Sequence, residues 1–157
     1  MHSFTGEEFM HHAVNRYSDM LIRIAFQYAR SRADAEDIAQ GVFIALLKQP
    51  PFHDETHLKA WLIRAAINKS QDYLRAAKRR NAVPLGHAAN RLTQKQAEML
   101  EELQELPEND RNILYLFYYE GYSAKEITQI IGIKEKAVLM RLSRAREKLK
   151  ALLEKKP

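Results

Sequence analysis

A chain of 157 residues, 46% of them hydrophobic, is long enough for one domain or two very small ones and too apolar to be disordered throughout. Twenty-five Lys and Arg against 20 Asp and Glu leave a net charge of +5, which favours an anionic partner and puts nucleic acid first among the candidates. Cysteine is absent, excluding disulfides and thiolate metal sites, and the apolar runs are too short to span a membrane, with no signal-peptide core in Met1–Met10. The chain is expected to be soluble and intracellular.

Glu7 to Tyr28 has helical periodicity, because Phe9, Val14, Tyr17, Leu21, Ile24, Ala25 and Tyr28 return every three or four positions. Asp34 is a suitable N-cap with Asp37 at the third helical position, so a second helix is expected to about Lys48. Ala35, Ile38, Ala39, Val42, Ala45 and Leu46 share its inner side. Asp37, Gln40, Gly41, Ile44 and Lys48 are left on the other. That stripe mixes a carboxylate, an amide, bare backbone and an apolar side chain, which suits a docking face, although a single exposed Ile is also common on a solvated one.

Gln49-Pro50-Pro51 ends this helix, and Phe52 to His57 is expected as a polar loop. The run HDETH at 53–57 lacks the HExxH order, Pro51 disfavours a helix that would align the imidazoles, and no third ligand is evident; neither metal nor cofactor is expected. Leu58 to Arg80 forms the third helix. Leu58, Trp61, Leu62, Ala65, Ala66, Tyr73 and Leu74 are assigned to its inner face, Trp61 among them because it shares the apolar stripe. Arg64, Asn68, Lys69, Arg75, Lys78, Arg79 and Arg80 remain outside, a cation bias that fits a nucleic-acid surface or, more plainly, a solvated face.

Asn81 to Asn90, with Pro84 and Gly86 and no charges, breaks the helical pattern and opens a linker extending to about Gln94. An acidic helix, Ala97 to Leu106, resumes it. Pro107 with Glu108, Asn109 and Asp110 caps the next, whose apolar ILYLFYYEGY marks the C-terminal core. Then Ser123 and Glu126 make a capping box, Ile127, Ile130 and Ile131 give a buried face, and Gly132 can take the left-handed conformation that ends the helix. In the helix that follows, Val138, Leu142, Ala145, Leu149 and Leu152 form the inner stripe. Lys134, Lys136, Arg141, Arg144, Arg146, Lys148 and Lys150 lie outside it with only Glu135 and Glu147. Two short helices about a Gly turn, the second one cationic, suit a major groove walled by phosphate; the alternative is an amphipathic hairpin with a solvated basic face.

The order of these segments is similar to that of bacterial RNA polymerase sigma factors, in particular the compact extracytoplasmic-function (ECF) group of the sigma-70 family, with domains two and four alone. DAEDIAQGVFIAL resembles the helix that binds core polymerase, LKAWLIRAAINKSQDYLRAAKRR the helix that opens and reads the minus-ten element, and LPENDRNILYLFYYEGYSAKEITQIIGI with VLMRLSRAREKL the minus-thirty-five-binding domain. The resemblance implies an all-α protein of two small helical domains, 1–80 and 95–157, joined by a flexible linker over 81–94.

It further implies that Asp37, Gln40, Gly41, Ile44 and Lys48 meet core polymerase. Asn68, with Phe52 and His53 in the Pro50–His57 loop, would hold a flipped non-template base, and Lys69, Arg75, Lys78 and Arg79 would bear on the DNA backbone. Lys134, Glu135, Lys136, Leu139, Met140, Arg141, Ser143 and Arg144 would face the minus-thirty-five element. The chain departs from the family at Gly41, where an acidic residue is usual, at Lys134, where the recognition helix normally starts with Ser or Thr, and at Ala137-Val138-Leu139-Met140, in place of a Thr-Val-Lys-Ser run.

The implied function is that of an alternative sigma factor: a cytoplasmic, non-catalytic subunit binding core RNA polymerase and promoter DNA. An anti-sigma factor is its expected inhibitor, in some settings holding it at the membrane, and neither membrane insertion nor a small-molecule substrate is expected. A helix-turn-helix regulator that binds duplex DNA without serving polymerase is the alternative. An enzyme is disfavoured, since no Ser/His/Asp set, Gly-rich phosphate loop or acidic metal cluster stands out.

Overall fold

Ser31 sets the geometry of the N-terminal half, because its side chain accepts the Asp34 backbone N–H (3.4 Å) and so starts a helix immediately after the preceding one ends. In the computed structural model, residues 6–29, 31–50, 52, 54–79 and 106–154 are described, and the chain divides into two compact units, 1–88 and 89–157. The expected linker, the expected acidic helix up to Glu105, and His53 and Arg80 lie outside the described residues.

Three helices, α1 (Gly6–Ala29), α2 (Arg32–Leu46) and α3 (Glu55–Arg79), pack mutually to form the N-terminal unit. Leu21, Ile24 and Tyr28 of α1, Val42 and Leu46 of α2, and Leu58, Leu62 and Ile63 of α3 supply its largest buried side chains. Where α1 and α2 meet, Ala25, Ala29 and Ala35 with Ile38 make a small-residue seam flanked by Tyr73. The Tyr73 hydroxyl donates to Asp34 Oδ2 at 2.7 Å, tying α3 to the first turn of α2. A carboxylate there also complements the positive end of the helix dipole.

Several expectations need correcting. Ser31, not Asp34, caps α2, because the Asp34 carboxylate is engaged by Tyr73. Lys48 lies in the turn after α2 rather than inside it. Val14 is 38% exposed and outside the core. Helix α3 begins at Glu55, three residues before the expected start, since Asp54 Oδ1 accepts the His57 backbone N–H at 2.8 Å and closes the first turn. Its inner face uses Ile63, Ile67, Ser70 and Ala77 alongside Leu58, Leu62 and Ala66. Trp61 is only half-buried, on the side of the helix carrying Arg64, Ala65, Asn68 and Asp72, which follow it at three, four, seven and eleven positions.

The C-terminal unit contains α4 (Glu108–Leu114), α5 (Ala124–Ile131) and α6 (Glu135–Glu154). Pro107 occupies the N-cap of α4, without a side-chain bond. Beyond Leu114 the helix widens into a π turn over Tyr115–Tyr119, in which the Glu120 N–H reaches back five residues to the Tyr115 carbonyl at 3.1 Å. That widening leaves Leu116 buried and Tyr118 and Tyr119 exposed. Ile113, Leu116 and Ile127 form the core of this unit together with Val138 and Leu142 of α6.

Candidate nucleic-acid interface

The local geometry of the helix-turn-helix follows from three residues. Ser123 Oγ accepts the Glu126 N–H at 3.1 Å while Glu126 Oε1 accepts the Ser123 N–H at 2.9 Å, so both bonds of the capping box are present. These bonds hold the Glu126 carboxyl below its usual range. At the other end Gly132 takes φ 85°, a left-handed conformation costly for a residue with a Cβ, and its N–H closes on the Thr128 carbonyl at 2.8 Å. The chain then enters α6 at Glu135, three residues on. Lys134, just before α6, has no side-chain acceptor to offer the helix N-terminus and places a cation at the positive end of the dipole.

On α6, Val138, Leu142 and Ala145 are buried, and the opposite side lies open: Lys136, Met140, Ser143 and Glu147, spaced four, seven and eleven apart, are all exposed. Leu139 and Met140 are 52% and 55% exposed. Arg144 projects outward, with its guanidinium 4.0 Å from the buried Asp110 carboxylate, and Arg141 is half-buried at the edge of the inner stripe. Arg146 departs from the expected free basic face. Its guanidinium lies 5.3 and 5.4 Å from the Phe117 and Tyr118 ring centres and donates to the Tyr118 hydroxyl, an aromatic seat that holds it for packing. Beside it opens a groove of about 430 Å³ lined by Leu114, Tyr118, Arg146, Leu149, Lys150 and Glu154.

In the N-terminal unit the outer side of α3 exposes Arg64, Asn68, Arg75, Lys78 and Arg79, with Arg75 hydrogen-bonded to Asp72. Lys69 is half-buried, because its chain crosses to α2: its Cδ, Cε and Nζ lie 3.6, 3.8 and 3.9 Å from the point where a Cβ on Gly41 would sit. The outer stripe of α2 meets that of α3 at this junction. Along α2, Asp37, Gln40 and Ile44 are exposed, Ile44 at 59%, and Leu47 extends the stripe at 66%. Sequence reasoning missed Leu47, although its position three after Ile44 and seven after Gln40 is the signal that could have found it.

The loop between α2 and α3 is anchored by Phe52, whose ring stacks near Phe9 (6.4 Å, 18°) and tilts against Trp61 (5.8 Å, 54°). A second anchor is Glu55, which accepts from the Tyr17 hydroxyl and pairs with His12, both on α1. Burial and then this bond push the Tyr17 hydroxyl up to about 12. Burial would raise Glu55, but the bonds from Tyr17 and His12 together outweigh it and leave the carboxyl below its usual range. In the HDETH run, His57 Nδ1 pairs with Asp54 Oδ1 at 2.9 Å, and among the described residues no group of three His, Asp or Glu side chains is arranged to hold a metal. Nor is any described helix long and apolar enough to cross a membrane.

Residues 13–80 match the family model described as Sigma-70 region 2, and residues 96–149 match Sigma-70, region 4. The chain is 32% identical to the ECF RNA polymerase sigma factor ShbA of Streptomyces griseus, over 83% of this chain and 82% of that protein. It is 29% identical to the ECF RNA polymerase sigma factor SigM of Bacillus subtilis, over 87% and 90%. The similarity to the probable RNA polymerase sigma factor RfaY of Xanthomonas campestris, 28% over 93% of this chain, spans 44% of that longer protein. Among solved structures, CnrH in complex with the cytosolic domain of CnrY is similar at TM-score 0.72 and 26% identity, covering 96% of this chain and 91% of that one. RpoE of Bartonella quintana, in complex with the anti-sigma factor NepR, shares the fold at TM-score 0.77 and 23% identity, covering 95% and 99%.

Proposed function

The chain belongs to the extracytoplasmic-function group of RNA polymerase sigma factors, and from that membership we propose a division of its work among three faces. Asp37, Gln40, Gly41, Ile44 and Lys48, extended by Leu47, dock on core RNA polymerase. Phe52, His53, Asn68, Lys69, Arg75, Lys78 and Arg79 engage the minus-ten element. Lys134, Glu135, Lys136, Leu139, Met140, Arg141, Ser143 and Arg144 engage the minus-thirty-five element.

The work is done by binding rather than by catalysis. Flipping one base out of a duplex costs a few kcal/mol of unstacking, and the exposed Asn68 amide, which can both donate and accept, supports recovery of part of that by hydrogen-bonding the base edge. The exposed cations of α3 and α6 contribute sequence-independent attraction to phosphate. As a polymerase subunit the protein works in the cytoplasm. The CnrH likeness was solved with a protein bound to it, which supports an anti-sigma factor as a further partner for this chain.

The observation that carries this reading is that the two segments matching sigma regions each expose a cationic helix face, and the first also exposes the apolar Ile44 and Leu47. A regulator that bound duplex DNA through α5 and α6 and used its N-terminal helices only for a protein partner would give no use to the cationic face of α3. The test is transcription in vitro from fragments of its own genome by core polymerase with and without the purified chain. Discrete start sites that require the chain are expected; tight footprints by the protein alone with no initiation on any fragment would overturn the sigma assignment.

A further inference from the structure

We propose that Leu139 and Met140 read thymine methyl groups on the floor of the major groove, making the minus-thirty-five specificity of this chain depend on methyl contacts at the positions they cover. The inference rests on the sigma reading above and deepens its third face.

Two large apolar side chains stand more than half exposed on adjacent residues of α6, Met140 opposite the buried Val138, Leu142 and Ala145 and Leu139 on the flank beside it. Neither contributes to the core of the unit. What surrounds them is not apolar: Lys136 precedes Met140 by one turn, Ser143 and Arg144 follow it by one turn, and Ser143 also stands one turn beyond Leu139. An apolar protein partner would have to desolvate those cations, whereas the major groove answers both features at once. Its walls are phosphate, which pairs with Lys136 and Arg144, and the one apolar group its floor displays is the C5-methyl of thymine. Apolar side chains at these two positions can form no hydrogen bond with a base edge, so discrimination there comes from buried methyl area. One methyl group buried in this way corresponds to about a fourfold change in affinity.

Deoxyuridine isolates the claim, because it keeps every hydrogen-bonding group of thymine and removes only the methyl. Genomic fragments retained by the full chain assembled with core polymerase are selected, and the minus-thirty-five duplex they share is then titrated by fluorescence anisotropy with each thymidine replaced singly by deoxyuridine. One or two replacements are expected to weaken binding by the wild-type holoenzyme about fourfold each. Leu139→Ala and Met140→Ala are expected to bind the thymine duplex more weakly and to lose that sensitivity, each at its own position; both sites are exposed, and Ala suits a helix interior. Circular dichroism checks that the variants fold.

Wild-type binding indifferent to deoxyuridine at every position would overturn the inference and leave the sigma reading standing. So would variants as sensitive as the wild type. Variants that bind both duplexes as the wild type does would assign the pair to a protein contact instead. If no fragment is retained at all, the sigma reading fails, and this inference with it.

Discussion

Replacing Gly41 by Ala should make the N-terminal unit more stable. Gly41 lies inside α2, where glycine costs about 1 kcal/mol relative to alanine through the backbone freedom it surrenders on folding. The gain is realised only if a Cβ fits. Its nearest neighbours would be the Cδ, Cε and Nζ of Lys69 at 3.6, 3.8 and 3.9 Å, ordinary van der Waals separations to a flexible side chain, so no steric penalty is subtracted. For a unit of fewer than a hundred residues, about 1 kcal/mol raises Tm by roughly 4–8 °C. Trp61 is the only tryptophan and lies on α3, so its fluorescence reports the melting of this unit in the full chain, with far-UV circular dichroism following both units. A Trp61 transition that stays in place or moves down would refute the packing inferred at the α2–α3 junction. Gly41→Glu should keep most of the gain and add a surface ion pair with Lys69 worth about 0.2–0.5 kcal/mol. It should also weaken promoter opening if the Lys69 charge is needed on DNA.

Ile44→Asp should reduce capture of the chain by core polymerase at least tenfold while leaving the Trp61 melting curve unchanged, because Ile44 is 59% exposed; normal capture would remove the docking face. Asn68→Ala should reduce open-complex formation, read by permanganate reactivity, more than closed-complex binding, and equal losses in the two would exclude the base-holding role. The Glu55 cluster gives the N-terminal unit a defined pH dependence. Glu55 is held below its unfolded value, so its contribution is present above about pH 4.3 and is lost as pH falls through the folded value; Glu55→Gln should flatten that acid limb of the stability curve. Tyr17 is raised from 10.0 to about 12, so its contribution is complete below pH 10 and disappears as pH rises toward 12. The stability difference between wild type and Tyr17→Phe should therefore be constant up to pH 10 and shrink above it, and a difference that grew would contradict the assigned shift.

The helix-turn-helix was legible because everything that shapes it is local: a capping box spanning four residues, a glycine at the C-cap and a stripe of period 3.6. What the sequence hid depends on contacts between distant residues. Ser31 and Asp34 are both capping residues, and only the Tyr73 hydroxyl, 39 positions from Asp34, shows why the serine has the role. The start of α3 was obscured by Pro51 and a polar run, although Asp54 three residues before His57 carried the signal. Trp61 was placed inside on its apolarity, whereas its spacing from Arg64 and Asn68 puts it on the outer side, against a Phe52 whose packing no periodicity reveals. Arg146 looked like one more cation of α6, and its aromatic seat comes from residues 28 and 29 positions away across a π turn that nothing local announced.

The side chain of Lys69 passes beside the open face of α2 at Gly41. The surface proposed for the machine and the surface proposed for the minus-ten duplex share a border one side chain wide. A change at either residue alters both at once, so selection on how strongly this subunit competes for polymerase constrains which upstream sequences it can come to melt. On α6, Leu139 and Met140 are exposed and take no part in the core, so substitution there can shift the proposed target with little loss of fold.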